Sequence, residues 1–415
     1  MSETISIPLW LAVLVLLLAA WAVLDRFLLP GARWFLRRRV TRVVDEINTR
    51  LDLKIQSFKL TRREVLIDRL SYDAEVMDAV AAQSAADGIP REVLMARVAR
   101  YAHEIVPAFN AYVYFRVGAW AARRLAEWLY RVRLGDASDE GLAAVDPEAS
   151  VVFVMNHRSN MDYVLVAYLA ASRTALSYAV GEWARIWPLQ TLIRSLGAYF
   201  VRRESGDQLY RRVLERYVAM ATAAGVVQAV YPEGGLSRDG HLRPPRLGLL
   251  NYMLKALESD GAKDVVFIPV GINYDRVLED RSLVRSLDPE AERRSTGFAL
   301  KKTFGFIGHN LALMIRGRWF RFGYACVNFG APVSARAWIE ENDVSDEAAR
   351  QKSVDALGRH LMHSVGRVVP VLPVSLIATV FARRGGEPIS ELDLKVAAHA
   401  LQTELEEKKA RIYVP

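Results

Sequence analysis

Between residue 150 and about residue 330 the chain alternates short apolar, β-branched or aromatic runs with stretches of helical period, and few folds accommodate that alternation. The runs fall at 151–155, 199–201, 226–231, 265–270 and 324–329, and residues 208–223 carry a helical pattern between two of them. Strands interleaved with helices predict an α/β domain, a central β-sheet flanked by helices on both faces. Ligand sites in such sheets form where strands end and loops begin, so chemistry is expected at those ends.

The flanks read differently. Residues 73–134 look helical, with one helix beginning near Pro90 and a longer one over about 110–134, and 135–147 reads as a linker rich in Asp, Glu, Gly and Ala. After Pro332 the pattern is helical again, around 353–368 and in a charged helix over about 389–409. The apolar stretch 368–382 is interrupted by Pro370 and Pro373 and is too short for a confident membrane span. This divides the chain into residues 1–30, a basic and mainly helical region 31–147, the α/β domain 148–335 and a helical region 336–415.

Residues 5–24 carry no charge. Twenty residues span about 30 Å as a helix, the thickness of a bilayer core, and predict an N-terminal transmembrane helix. A cleaved signal peptide needs a basic start, and the first four residues offer only Glu3. Arg26, Arg33, Arg37, Arg38, Arg39 and Arg42 follow against Asp25 alone, which predicts a single-pass anchor with the remaining chain in the cytoplasm. Interleaved with Trp34, Phe35 and Leu36, these arginines suit an anionic phospholipid membrane. No nucleic-acid-binding signature accompanies the net charge of +8, so nucleic acid is not expected as a partner. The lone Cys326 excludes a disulfide framework and a thiolate zinc cluster. His360 and His363 lack a supporting carboxylate pattern, so no metal site is expected. No P-loop, dinucleotide fingerprint, His-Glu-x-x-His motif or Gly-x-Ser-x-Gly elbow occurs.

The strand end after residue 155 reads Asn156-His157-Arg158-Ser159-Asn160-Met161-Asp162. Histidine is the usual general base near neutral pH, and a carboxylate on its far ring nitrogen fixes tautomer and orientation. Residues five apart on one helix sit about 140° around the axis, so His157 must precede the helix to meet Asp162. Ser159-x-x-Asp162 ahead of an apolar stretch is a capping signature, giving strand, turn with His157, then helix. The plain alternative is a loop histidine beside a helix cap. Three further segments matter. Arg202 and Arg203 end the run at 199–201, and guanidinium pairs suit phosphate oxygens. Tyr231-Pro232-Glu233-Gly234-Gly235-Leu236-Ser237-Arg238 closes another run. Its glycines allow close backbone approach, Glu233 is placed to hold a substrate hydroxyl and Arg238 adds a cation. Residues 268–274 are expected to line the site with backbone and apolar surface. Arg316-Gly317-Arg318-Trp319-Phe320-Arg321-Phe322 reads equally as a membrane-surface ledge or an edge strand.

These blocks, in this order and spacing, resemble the four motif blocks of the glycerolipid acyltransferase family. The likeness covers roughly residues 90–335. Arg158 after the histidine, the double arginine and the Glu-Gly-Gly turn look like the glycerol-3-phosphate branch, as does Val270-Gly271-Ile272-Asn273-Tyr274-Asp275-Arg276. The resemblance implies an enzyme at the bacterial inner (cytoplasmic) membrane that acylates the 1-hydroxyl of glycerol-3-phosphate from acyl-CoA or acyl-carrier protein, without a cofactor. His157 would be the base and Asp162 its orienter. Arg158, Arg202, Arg203, Glu233, Gly234, Gly235, Ser237 and Arg238 would bind substrate, with backbone donors near Gly234 and Gly235 for the oxyanion. A covalent acyl group on Ser159 or Cys326 is disfavoured, because neither has a partner base at triad spacing. Leu236 stands where the family commonly has arginine, which leaves lysophosphatidate or dihydroxyacetone phosphate as alternative acceptors. A non-enzymatic alternative is an adaptor that binds phospholipid headgroups. The chain is much shorter than the long bacterial glycerol-3-phosphate enzymes.

Overall fold

The computed structural model describes residues 55–135, 145–170, 174–181, 189–202, 205–258, 261–285, 287, 321–342 and 346–414. Strand β1 (Arg131–Leu134) follows a helix that stops at Leu129, so the long helix expected over 110–134 ends early. The Tyr130 backbone turns extended, and β1 pairs in parallel with β7 (Tyr324–Phe329) from Arg131↔Tyr324 to Leu134↔Val327. A four-residue strand flanked by helix carries too little alternation to be read from sequence.

The expected runs form β2 (Ser150–Met155), β4 (Tyr199–Phe200), β5 (Gln228–Val230), β6 (Val265–Tyr274) and β7. Two further strands, β3 (Ser177–Val180) and β8 (Val333–Ser334), went unpredicted. The sheet order is β1-β7-β6-β2-β5-β3-β4, with β8 on the flank of β6. It is mixed: β7 and β8 run antiparallel to β6, whereas β2, β5 and β6 are mutually parallel. All ten residues of β6 are buried, which explains its continuous apolar sequence.

Helices α1 (Arg63–Ser71), α2 (Ala74–Asp87) and α3 (Arg91–Ile105) precede the sheet. A π-helical turn (Val113–Gly118) runs directly into α4 (Ala119–Leu129), since both junction residues keep helical backbone angles. Next come α5 (Met161–Ala170), α6 (Leu189–Ser195), α7 (Gln208–Ala223) and α8 (Gly248–Leu254), then α9 (Glu347–Val368), α10 (Pro373–Arg383) and α11 (Glu391–Glu407). Asp207 caps α7 by accepting from Leu209 and Tyr210 N–H, and Asp346 and Ser390 cap α9 and α11. One core joins Leu94 and Val98 of α3, Val213 and Val218 of α7, Phe267 of β6 and Leu357 and Leu361 of α9. Segments on either side of positions 147 and 335 therefore share one interior, and residues 55–415 form one unit. Gly271 of β6 lies under the end of α9, where a Cβ would sit 2.4 Å from the Val368 carbonyl carbon.

The anchor expected at 5–24, its arginines and residues 316–320 of the ledge lie outside the described residues. Among the described residues, no helix is long and apolar enough to cross a membrane.

Candidate active site

Strands β5 and β6 flank β2 in parallel, so the segments following all three strands emerge side by side. Strand β6 runs four residues past its pairing of Val270 with Met155. Asn156 bridges that overhang: its side chain donates to the Ile272 carbonyl (2.8 Å) and accepts from Ile272 N–H (2.7 Å). His157 is thereby held at the strand end, buried at 2% exposure.

Helix α5 begins at Met161, and Asp162 in its first turn reaches back to the histidine. Oδ2 of Asp162 lies 2.8 Å from His157 Nδ1 and accepts from Arg158 N–H (2.7 Å) and Ser159 N–H (3.0 Å). Oδ1 accepts the Tyr274 hydroxyl at 2.7 Å. Four donors thus fix this carboxylate, and with Nδ1–H directed at it the free lone pair is on Nε2. Asp162 caps the helix and orients the ring at once; the two readings of the motif are one geometry. Tyr231 stacks on the imidazole (centroids 4.2 Å, 28°) and Tyr163 meets it edge-on (5.3 Å, 83°).

Glu233 does not present its carboxylate to a substrate hydroxyl. Oε1 accepts His157 N–H (2.8 Å) and Oε2 accepts Arg243 N–H (3.1 Å), so it ties the turn after β5 to the turn after β2. Burial raises its pKa above the usual carboxylate range, against the pull of those backbone donors. Gly234 takes φ +69°, and a Cβ there would meet Arg246 Cδ at 2.6 Å, so this turn needs glycine. The Gly234 N–H is engaged by the Tyr231 carbonyl (3.0 Å); Gly235 is the next residue of the turn. Ser237 is buried: its N–H donates to the His157 carbonyl (2.8 Å), and its hydroxyl donates to the His241 carbonyl and accepts Gly240 N–H.

The arginines separate. Arg158 clamps the Gly240 carbonyl (2.5 Å) and Asn273 Oδ1 (3.2 Å), and burial lowers its pKa. Arg202 forms a two-pronged pair with Glu104 (2.9 and 2.7 Å) and stacks between Tyr101 and Tyr210, which raises its pKa. Its fork is therefore filled by a carboxylate from α3, away from any phosphate. Arg203 lies outside the described residues. Arg238 is exposed on the turn after β5, and Arg243 and Arg246 stand on the same loop.

An apolar cavity of about 350 Å³ opens beside the histidine. The π-helical turn, α4, α5 and α6 wall it through residues such as Val117, Leu125, Val164, Ala167, Ile193 and Leu196. Asn160 and Tyr163 also line it, and Tyr163 touches the His157 ring, so the cavity reaches the base.

Residues 137–273 match the acyltransferase family, and residues 310–414 match the family described as glycerol-3-phosphate acyltransferase C-terminal region. The chain carries an acyltransferase domain. Over 370 residues it is 26% identical to the glycerol-3-phosphate acyltransferase of Xylella fastidiosa strain M23, covering 86% of this chain and 42% of that protein. The corresponding protein of Xanthomonas campestris is 27% identical with 86% and 40% coverage, and that of Pseudomonas putida 25% with 77% and 38%. The chain thus spans about two fifths of the length of these curated relatives. The crystal structure of the 1-acyl-sn-glycerophosphate acyltransferase PlsC from Thermotoga maritima is 16% identical, with a TM-score of 0.35, over 73% of this chain and 98% of that one.

Sequence reasoning missed several members of the acyltransferase domain's site. Tyr274, expected only as lining, is the second anchor of Asp162. Glu279 accepts the Ser159 hydroxyl (2.7 Å) and both the N–H and side-chain amide of Asn160 (3.1 and 3.0 Å), bracing the start of α5. Asn156, Arg243 and Arg246 carried no local signal, because their partners lie on distant segments.

Proposed function

We propose that the chain transfers a fatty acyl group from an acyl thioester, acyl-CoA or acyl-carrier protein, to the 1-hydroxyl of glycerol-3-phosphate, giving lysophosphatidate for phospholipid synthesis. The observation that carries this reading is a carboxylate-held histidine at the end of an apolar cavity. His157 Nε2 takes the hydroxyl proton as the oxygen attacks the thioester carbonyl. The carbon–sulfur bond then breaks, and the thiolate leaves with the proton returned from the imidazolium. Gly235 N–H is the donor we assign to the oxyanion, since its neighbour's is engaged. Arg238, Arg243 and Arg246, grouped on one loop, are the cations we assign to the phosphate, in place of Arg202. The cavity, within the usual size range of ligand pockets, receives the acyl chain. A thioester is already activated, so this route uses neither a metal nor an acyl-enzyme. We place the chain at the cytoplasmic face of a bacterial inner membrane, held by residues 5–24.

Purified protein given labelled palmitoyl-CoA or palmitoyl-carrier protein, with glycerol-3-phosphate, lysophosphatidate and dihydroxyacetone phosphate in parallel, tests this. Label should enter lysophosphatidate with glycerol-3-phosphate as acceptor, and His157→Ala should lower turnover at least about 10²-fold. Transfer to another acceptor alone would reassign the substrate. Absence of any transfer would support a headgroup-binding adaptor.

A further inference from the structure

The face around the cavity mouth is built differently from the rest of the described surface. Tyr112, Val117, Trp120 and Leu125 stand exposed along the π-helical turn and α4, with Trp120 62% exposed, and Leu192 of α6 stands exposed across the cavity from them. Val117, Leu125 and Leu192 also line the cavity, so its apolar wall continues onto the outer surface.

Arginines interleave with these side chains. Residues 110–134 contain Arg116, Arg123, Arg124, Arg131 and Arg133 against the single carboxylate of Glu127, which already bonds Arg123. Arg131 and Arg133 lie exposed on β1, beside an open depression of about 400 Å³ that Arg321 also borders. Their recorded side-chain partners are tyrosine hydroxyls, Tyr324 for Arg131 and Tyr413 for Arg133. By contrast, Arg202, Arg216, Arg276, Arg350 and Arg383 elsewhere each face a carboxylate.

We infer that this face, from Tyr112 through β1, docks on an anionic phospholipid bilayer with the cavity mouth toward the acyl chains. Exposed aromatic and aliphatic groups among guanidinium groups suit the headgroup boundary, where rings and stems enter apolar lipid and charges meet phosphates. An acidic protein partner would satisfy the arginines but leave an exposed Trp, Val and Leu cluster at a cavity mouth unexplained. The ledge expected at 316–322 thus gives way to a broader face, to which Arg321 contributes.

Position-resolved quenching on the full chain tests the docking face separately from residues 5–24. Trp120→Cys and, as a control, Lys352→Cys on the exposed side of α9 receive an environment-sensitive fluorophore; Cys326 is buried. The proteins are reconstituted in phosphatidylethanolamine/phosphatidylglycerol vesicles containing a shallow doxyl-lipid quencher. The label at 120 should be quenched several-fold more than that at 352, and Arg123→Glu with Arg124→Glu should reduce the difference. Equal quenching at 120 and 352 would overturn the proposal. So would a response at 120 to added acidic carrier protein but not to lipid. The readout does not require acyl transfer, so it stands or falls independently of the activity.

Discussion

At Asp162 the four donors differ in what they do. His157 carries the chemistry, two backbone N–H groups set the turn, and the Tyr274 hydroxyl fixes the other oxygen. Tyr274→Phe leaves that oxygen bare in a buried site, and should cost roughly 1–3 kcal/mol of stability. If the hydroxyl positions the pair, kcat should fall more than KM changes; an unchanged kcat would reduce Tyr274 to packing. Glu233 makes a pH-dependent prediction. Its pKa is raised in the folded chain, so the folded state binds that proton more readily than the unfolded state. The associated stability is therefore present in acid and lost as pH rises from the usual carboxylate pKa through the raised one. Wild type should gain on Glu233→Gln as pH is lowered through that window, read from urea midpoints of both proteins; a constant gap would refute the assignment. The histidine and its orienter were legible in sequence because they lie five residues apart. Tyr274 and Glu279 were not, since their partners lie 112 and about 120 positions away.

Among the elements, the strands that sequence revealed were the buried apolar ones, β2, β6 and β7 above all. Strand β1 hid because its exposed Arg-x-Arg resembles the end of a charged helix, and only pairing with β7 defines it. Arg202 hid its role in the same way: a double arginine at a strand end reads as a phosphate fork until α3 brings Glu104 beside it. Arg202→Ala should accordingly cost about 1–3 kcal/mol, less than a fully buried pair because the guanidinium is about a third exposed. It should lower Tm while leaving the KM for glycerol-3-phosphate nearly unchanged. A selective rise in that KM would restore the phosphate role. Gly271→Ala drives a methyl into the α9 backbone and should cost about 1–3 kcal/mol, measured by chemical denaturation.

For the whole molecule, the α/β architecture was legible, but the joining of the flanking helices to the sheet in one core was not. Periodicity says which face of α3 or α9 is buried, not what covers it. The cavity was invisible for the same reason, since four separate elements wall it. Its depth sets a prediction. Ala122→Phe places a ring in the space and should shift preference from palmitoyl toward short-chain donors by about 10-fold in kcat/KM, on the scale of a few lost methylene contacts. Equal loss on all donors would mean that the chain binds elsewhere.

The π-helical turn sets the angular phase between the two halves of its helix. Six residues with the wider hydrogen-bond step hold one residue more than an α-helical path of the same length. Deleting one of them would return the segment to α-helical pitch and turn everything after it by about 100°, carrying Trp120 and the arginines off their face and Ala122 out of the cavity wall. A single-residue deletion there should therefore uncouple lipid contact and cavity together, whereas substitutions at the same positions would touch only one.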